Sequence, residues 1–262
     1  MHLHVGCTLQ FEAQDNTPVI FMLRPRSGSG QWIISEEYEI MPHVPVTEFT
    51  DRYGNLCQRL VAPAGPFSVR TAATVQTNDT IDVAHGAPFV PIEDLPDDVL
   101  HFLLPSRYCQ SDQLGELAAD ITATVETPGY DQAEAIRRWI NQNIRYEYGT
   151  SDASTSAIDT AAHRVGVCRD FTHLGMALCR SLNIPARMVV GYLHELKPMD
   201  LHAWFEAYID GRWYTFDATQ TEPKGNRVTV AYGRDAADVA FTTQFGPMLL
   251  NTMEVWVKAA EQ

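Results

Sequence analysis

Cys168 stands in Gly166-Val167-Cys168-Arg169-Asp170-Phe171, where a loop gives way to an amphipathic stretch. The first turn of a helix has backbone N–H groups without intrahelical partners and the positive end of the helix dipole. Both would stabilise a thiolate, and the same N–H groups could hold the oxyanion formed when sulfur attacks a carbonyl. Gly166 would allow a close backbone approach just before the nucleophile. A lone cysteine is more often a small, inert core residue, so Cys168 needs partners before it reads as a nucleophile.

A second pattern offers them. Asp210-Gly211 is a two-residue hairpin signal between an apolar stretch over 202–209 and another over 212–217. A turn centred there sets Trp204 opposite Asp217 and His202 opposite Thr219. His202 and Asp217 then share a face as diagonal neighbours, roughly 7–8 Å apart at the backbone. An imidazole and a carboxylate can close that gap with a hydrogen bond. Asp217 would fix the ring's tautomer and leave the other nitrogen for a thiol. Each residue also has a plainer reading. A histidine at a strand start is ordinarily a surface residue, and the aspartate of Phe216-Asp217-Ala218-Thr219 could simply close its own turn. Cysteine, histidine and aspartate in this order nevertheless make up a nucleophile, a base and an orienting group.

Nearby residues take smaller parts. Tyr146, at the end of the preceding helix, could donate to the oxyanion, although core packing is its ordinary role. Trp204 could wall the site. Asp170 is expected to offset the helix dipole or to meet the substrate, turned away from the sulfur. His173 sits about 140° around the helix from Cys168 and reads as a packed or capping residue. No helix face collects His163, Cys168 and His173 together, so no metal is expected.

These groups need elements to hold them. Phe171, Leu174, Gly175, Leu178 and Leu182 form one helical face, which Asn183 and Pro185 end. Residues 186–193 read as a buried strand, followed by the hairpin. Upstream, Leu114, Leu117, Ala118, Ile121 and Val125 predict a helix with Ser111 as N-cap. Ile136, Trp139, Ile140 and Ile144 predict a second, starting near Asp131 with Glu134 completing a capping box. A short helix is expected near 157–163. Residues 1–85 change period: Phe67, Val69, Thr71, Ala73 and Val75 alternate with Ser68, Arg70, Ala72, Thr74 and Gln76, as a half-buried strand does. Turn residues, including Ser27-Gly28-Ser29-Gly30, divide this region into short strands. The expected organisation is a small all-β domain over 1–85, a Pro- and acid-rich linker over 86–98, and an α+β core over 99–262.

The stretch from Trp139 to Asp217 resembles the transglutaminase-like superfamily of cysteine enzymes. The resemblance rests on WINQNIRYEY, GVCRDFTHLGMALCRSLNIPARMVVGYL and HAWFEAYIDGRWYTFDAT. LRPRSGSG and DRYGN are similar to the β-rich domain that precedes this core in bacterial members. The resemblance implies a papain-like fold, with a cysteine-bearing helix packed on an antiparallel sheet. It implies Cys168, His202 and Asp217 as a catalytic triad that attacks amide carbonyls through a thioester. A peptidase or amide hydrolase acting on a peptide or other amide-containing substrate, without cofactor, is the leading expectation. A protein-glutamine transamidase is the alternative. An arylamine N-acetyltransferase ranks lower, because Arg164-Val165-Gly166 stands where that family has Arg-Gly-Gly. A non-catalytic peptide-binding scaffold also ranks lower, because all three triad residues are present.

Composition narrows the classes. The 262 residues suit one large domain or two modest ones. With 45% apolar and 20% charged residues, the chain is globular rather than disordered. A net charge of −14 repels polyanions, so nucleic acid is not expected as a partner. No apolar run is long enough for a membrane helix. The five cysteines form no CxxC pair, which argues against a disulfide scaffold. The N-terminal segment has no basic stretch followed by an apolar one. Together these features predict a cytoplasmic chain.

Overall fold

The computed structural model describes residues 1–28 and 30–260; Ser29, within the expected turn at 27–30, lies outside them. The N-terminal region supplies β1 (His2–Ala13), β2 (Thr17–Phe21), β3 (Gln31–Met41), β4 (Thr47–Thr50), β5 (Leu56–Ala62) and β6 (Gly65–Thr77). In β6 the residues Phe67, Val69, Thr71, Ala73 and Val75 are all buried, following the pleat. Leu9, Phe11, Phe21, Phe67 and Val69 meet in a core between two sheets.

The helices are α1 (Gly115–Thr122), α2 (Tyr130–Asn143), α3 (Ala157–His163) and α4 (Cys168–Ser181). Two short strands, β7 (Arg145–Tyr146) and β8 (Val165–Gly166), pair in parallel and lead the chain towards Cys168. An antiparallel sheet then forms from β9 (Ala186–Leu193), β10 (His202–Ile209), β11 (Arg212–Phe216) and β12 (Arg227–Gly233), in the order β11-β10-β9-β12. The helix α4 lies against this sheet. Gly175 makes the approach possible, because a Cβ there would fall 2.4 Å from the Phe205 ring. The fold is therefore α+β, with all-β sheets followed by helices on an antiparallel sheet.

Two expectations about helix starts need correction. Ser111 does not cap α1. It opens a 3-10 turn over Ser111–Gln113, and the helix begins only after Leu114. Glu134 does not close a capping box either. Gln132 does so by accepting from the Gly129 N–H at 3.1 Å, while Glu134 is buried against Arg137 and Arg138. A buried carboxylate is stabilised more by two guanidinium groups than by one exposed amide.

The chain's end also departs from the linear plan. β13 (Thr242–Gln244) pairs with β2, and β14 (Met248–Ala259) pairs with β1 along most of its length. The sheets of the N-terminal region are thus β14-β1-β6-β3 and β13-β2-β5-β4. Residues 99–262 do not form a block apart from them, because the last strands cross back. Without β14, one edge of β1 would carry a row of unpaired backbone groups. A shared core reinforces the link, with Leu3, Val5, Ala73 and Val75 packed in one cluster with Phe171, Leu174 and Val228. Among the described residues no helix is long and apolar enough to cross a membrane.

Candidate active site

The helix α4 begins at Cys168 because Asp170 folds back under its N-terminus. The Asp170 carboxylate accepts from the Val167 N–H at 2.8 Å and from the Arg169 guanidinium at 3.1 Å. Gly166 leaves room for this: a Cβ there would lie 2.7 Å from the Asp170 Cβ. Asp170 has no exposed surface, so it builds the turn that presents the sulfur. Its charge is matched by donors, although it sits two residues from Cys168.

His202 and Asp217 reach the same place through the hairpin. Asp210 and Gly211 both take positive φ, 48° and 78°, as a type I′ turn requires. Phe205 then pairs with Phe216 and Ile209 with Arg212, the register expected from the turn residues. The His202 Nε2 lies 2.8 Å from the Asp217 Oδ2, and both side chains are almost fully buried. The plainer reading of Asp217 holds at the same time. Its Oδ1 accepts from the Thr219 N–H at 3.0 Å and the Thr219 hydroxyl at 2.7 Å, closing an Asx turn.

Cys168 is near enough to the imidazole to favour its charged form. With Nε2 bound to Asp217, Nδ1 is the nitrogen left for the sulfur. Burial opposes a charge on His202, but the Asp217 carboxylate and Cys168 outweigh it and push the ring up to about 9. Asp217 stays well below the usual carboxylate range. Burial would raise it, but the positive charges of His202 and Arg227 and the hydrogen bonds lower it further. At neutral pH the pair is therefore an imidazolium held by a carboxylate.

Of the other expected residues, Tyr146 stands at the site and Trp204 stands behind it. Tyr146 is near enough to Cys168 for each to bear on the other's charge, and its ring lies 5.7 Å from that of Phe171. Tyr146 also lines a cleft of about 170 Å³ with Tyr148, Lys197, Pro198, His202 and Thr219. Trp204 is not in that cleft. Its ring is 6.1 Å from that of His202, and it borders a separate cavity of about 510 Å³ with Arg187, Glu206, Trp213 and Arg227. His173 is packed, as expected: its ring stacks on Tyr108 and its Nε2 accepts from the Ala236 N–H at 3.1 Å. Among the described residues no three His, Cys, Asp or Glu side chains gather as a metal site.

Two groups at the site have no counterpart in the sequence reading, Thr219 and Arg227. Thr219 had a signal in its Asp-x-Thr spacing. Arg227 had none, because it reaches Asp217 from a strand ten residues further on.

Residues 115–218, which include all three side chains, match the transglutaminase-like superfamily. The structure superimposes on that of a candidate cysteine protease from Cytophaga hutchinsonii with a TM-score of 0.93 and 39% identity, over 100% of this chain and 91% of that one. A Mycobacterium leprae protein, ML0607, is 27% identical over 231 residues, covering 83% of this chain and 82% of its own.

Proposed function

The chain belongs to the transglutaminase-like superfamily, and from that premise we propose that it is a cysteine peptidase or amide hydrolase. Cys168 is the nucleophile, His202 the acid and base, and Asp217 the group that orients and charges the imidazole. The Cys168 sulfur attacks the amide carbon, and the carbonyl electron pair moves onto oxygen. In this reading the Cys168 N–H and the Tyr146 hydroxyl stabilise that oxyanion. The oxyanion collapses, the C–N bond breaks, and the His202 imidazolium gives its proton to the leaving amine. A thioester and a neutral imidazole remain. Water attacks the thioester, His202 takes its proton, and the acid departs with Cys168 restored.

One observation carries this reading: a buried carboxylate 2.8 Å from an imidazole whose charge is also favoured by Cys168, the one thiol of the five that is partly exposed. A peptide substrate fits the cleft, which is open and rimmed by Tyr146 and Tyr148, and it fits the description of the Cytophaga hutchinsonii relative.

Selective labelling of Cys168 is a weak test, since Cys7, Cys57, Cys109 and Cys179 are buried and would be slow in any case. The informative quantity is rate. Iodoacetamide should alkylate Cys168 at pH 6 faster than it alkylates the thiols of the unfolded chain. A peptide ester should leave an acyl group on Cys168, visible by mass spectrometry and absent in Cys168→Ala. A Cys168 no faster than an unfolded thiol, with no acyl adduct, would overturn the proposal. If an added amine captured the acyl group in preference to water, the enzyme would be a transamidase.

A further inference from the structure

Arg227 opens β12, and it is the one cation buried against Asp217 besides His202. Its Nη2 lies 2.9 Å from the Asp217 Oδ2, the same oxygen that pairs with His202, and its side chain is 6% exposed. Its Nε donates to the Lys224 carbonyl at 2.9 Å. Its guanidinium lies over the Trp204 ring, 4.9 Å from the centroid. The group is thus fixed on two sides, with Asp217 on the third.

The backbone that carries Arg227 is held by the N-terminal region. The Thr77 hydroxyl donates to the Arg227 carbonyl at 2.7 Å. Two residues on, the Gln31 amide donates to the Thr229 carbonyl at 2.8 Å and accepts from the Thr229 N–H at 2.7 Å. The Asn55 amide does the same at Tyr232, at 2.7 and 2.9 Å. β12 is an edge strand of its sheet, and a side-chain amide offers one donor and one acceptor, as a neighbouring strand would. Thr77, Gln31 and Asn55 therefore close that edge at three points.

We propose that Arg227 is a positioning residue for the His202–Asp217 pair, and that the N-terminal sheets act on the site by fixing the strand that bears it. The proposal rests on the reading of Cys168, His202 and Asp217 as the reacting set. A carboxylate shut away from water needs compensating charge. His202 alone cannot supply it, because His202 must lose its proton during turnover. Arg227 never does. It keeps Asp217 ionised through the cycle and, by sharing Oδ2, holds the plane of the carboxylate. The other charged groups around Asp217 are Glu134 and Arg137 of α2 and Glu222 of the following loop. Glu134 and Arg137 pair with each other at 2.7 Å, so they leave Arg227 as the fixed counter-charge.

The test is the pH dependence of Cys168 alkylation by iodoacetamide, between pH 4 and 10, in the full-length protein. Thermal melts run in parallel. Removing a fixed positive charge from beside the reacting pair moves its titration by roughly 1–3 pH units. R227M should therefore shift the acid limb upwards by about one unit, lowering the rate on that limb roughly tenfold. R227K should leave the limb in place, since the charge is kept, while the plateau rate falls about threefold for want of the contacts to the Lys224 carbonyl and the Trp204 ring. T77V should move the R227M way, by about threefold or less on the acid limb. A folded R227M with the wild-type profile would overturn the proposal. If R227M does not fold, an R227K profile identical to wild type overturns it. An unchanged T77V profile removes the part assigned to the N-terminal sheets. If wild-type Cys168 reacts no faster than an unfolded thiol at every pH, the catalytic reading fails first and the role of Arg227 falls with it.

Discussion

Two histidines are buried among the described residues, and they are in opposite states. His173 lies in the middle of α4 with no exposed surface. Burial pushes it down to about 3, against a weaker upward pull from Asp235. It is neutral, with Nε2 accepting a backbone N–H. His202 is 2% exposed and is pushed up to about 9. Each has a buried aspartate nearby. The difference is where the carboxylate oxygens go. Those of Asp235 accept from the Tyr108 N–H at 3.0 Å and the Ala237 N–H at 2.9 Å. Asp217 gives only Oδ1 to its own turn and leaves Oδ2 for the imidazole. Burial by itself discharges a histidine. A direct hydrogen bond to an equally buried carboxylate reverses that.

The sharpest way to break the comparison is to remove each ring. His202→Ala should lower turnover of an ester or amide substrate about 10⁴-fold, a usual cost of losing a triad base. His173→Ala, where folded, should change it by less than about threefold. Comparable losses would mean that the charge state of His202 has no bearing on the chemistry. Next come the two carboxylates. Asp217→Asn keeps the shape but fixes the wrong tautomer, and turnover should drop roughly 10³-fold. Asp235→Asn should leave turnover per folded molecule unchanged. An active Asp217→Asn enzyme would remove Asp217 from the mechanism.

Acid stability separates the rings more gently. His173 is depressed below its unfolded value of 6.5, so the unfolded chain binds a proton that the native chain refuses. Its destabilising effect is absent above 6.5 and grows as pH falls towards 3, by up to about 1.4 kcal/mol per pH unit. Urea denaturation at pH 7 and 4.5 should show a smaller acid loss for His173→Gln than for wild type. Equal losses would show that His173 takes up its proton without unfolding. His202 has the other sign. Its raised value stabilises the fold fully below 6.5, and that contribution fades as pH rises through about 9. The same proton sets the mildest effect. Turnover should decline on the alkaline side with a midpoint near 9, about tenfold between pH 8 and 10. An alkaline midpoint near 6.5 would mean that Asp217 does not hold the imidazolium.

The elements that carry the site were legible because their signals are local. Gly166 and the apolar face of 171–182 mark the start and course of α4. Asp210-Gly211 fixes the hairpin register, and with it the approach of His202 to Asp217. Other features were not legible. Glu134 stands where a capping residue belongs, but two arginines on its own helix outbid the backbone N–H. Trp204 shares a strand with His202, but Arg227 and Tyr232 draw it into a different cavity. Nothing along the chain points from 248–259 back to β1, because strand pairing leaves no mark in either partner alone.

Local residues suffice for the helix that begins at a cysteine, the turn that folds a histidine over an aspartate, and the all-β character of the first 85 residues. Each follows from steric preference and hydrophobic period within a few neighbouring residues. Folding in three dimensions was needed to push His202 up and His173 down, to bring Arg227 to Asp217, and to complete the first sheet with the final strand. The two kinds of feature differ in range. Backbone preference acts between neighbours in the chain, whereas the charge on a buried group answers to whatever lies within a few ångströms, however distant in sequence.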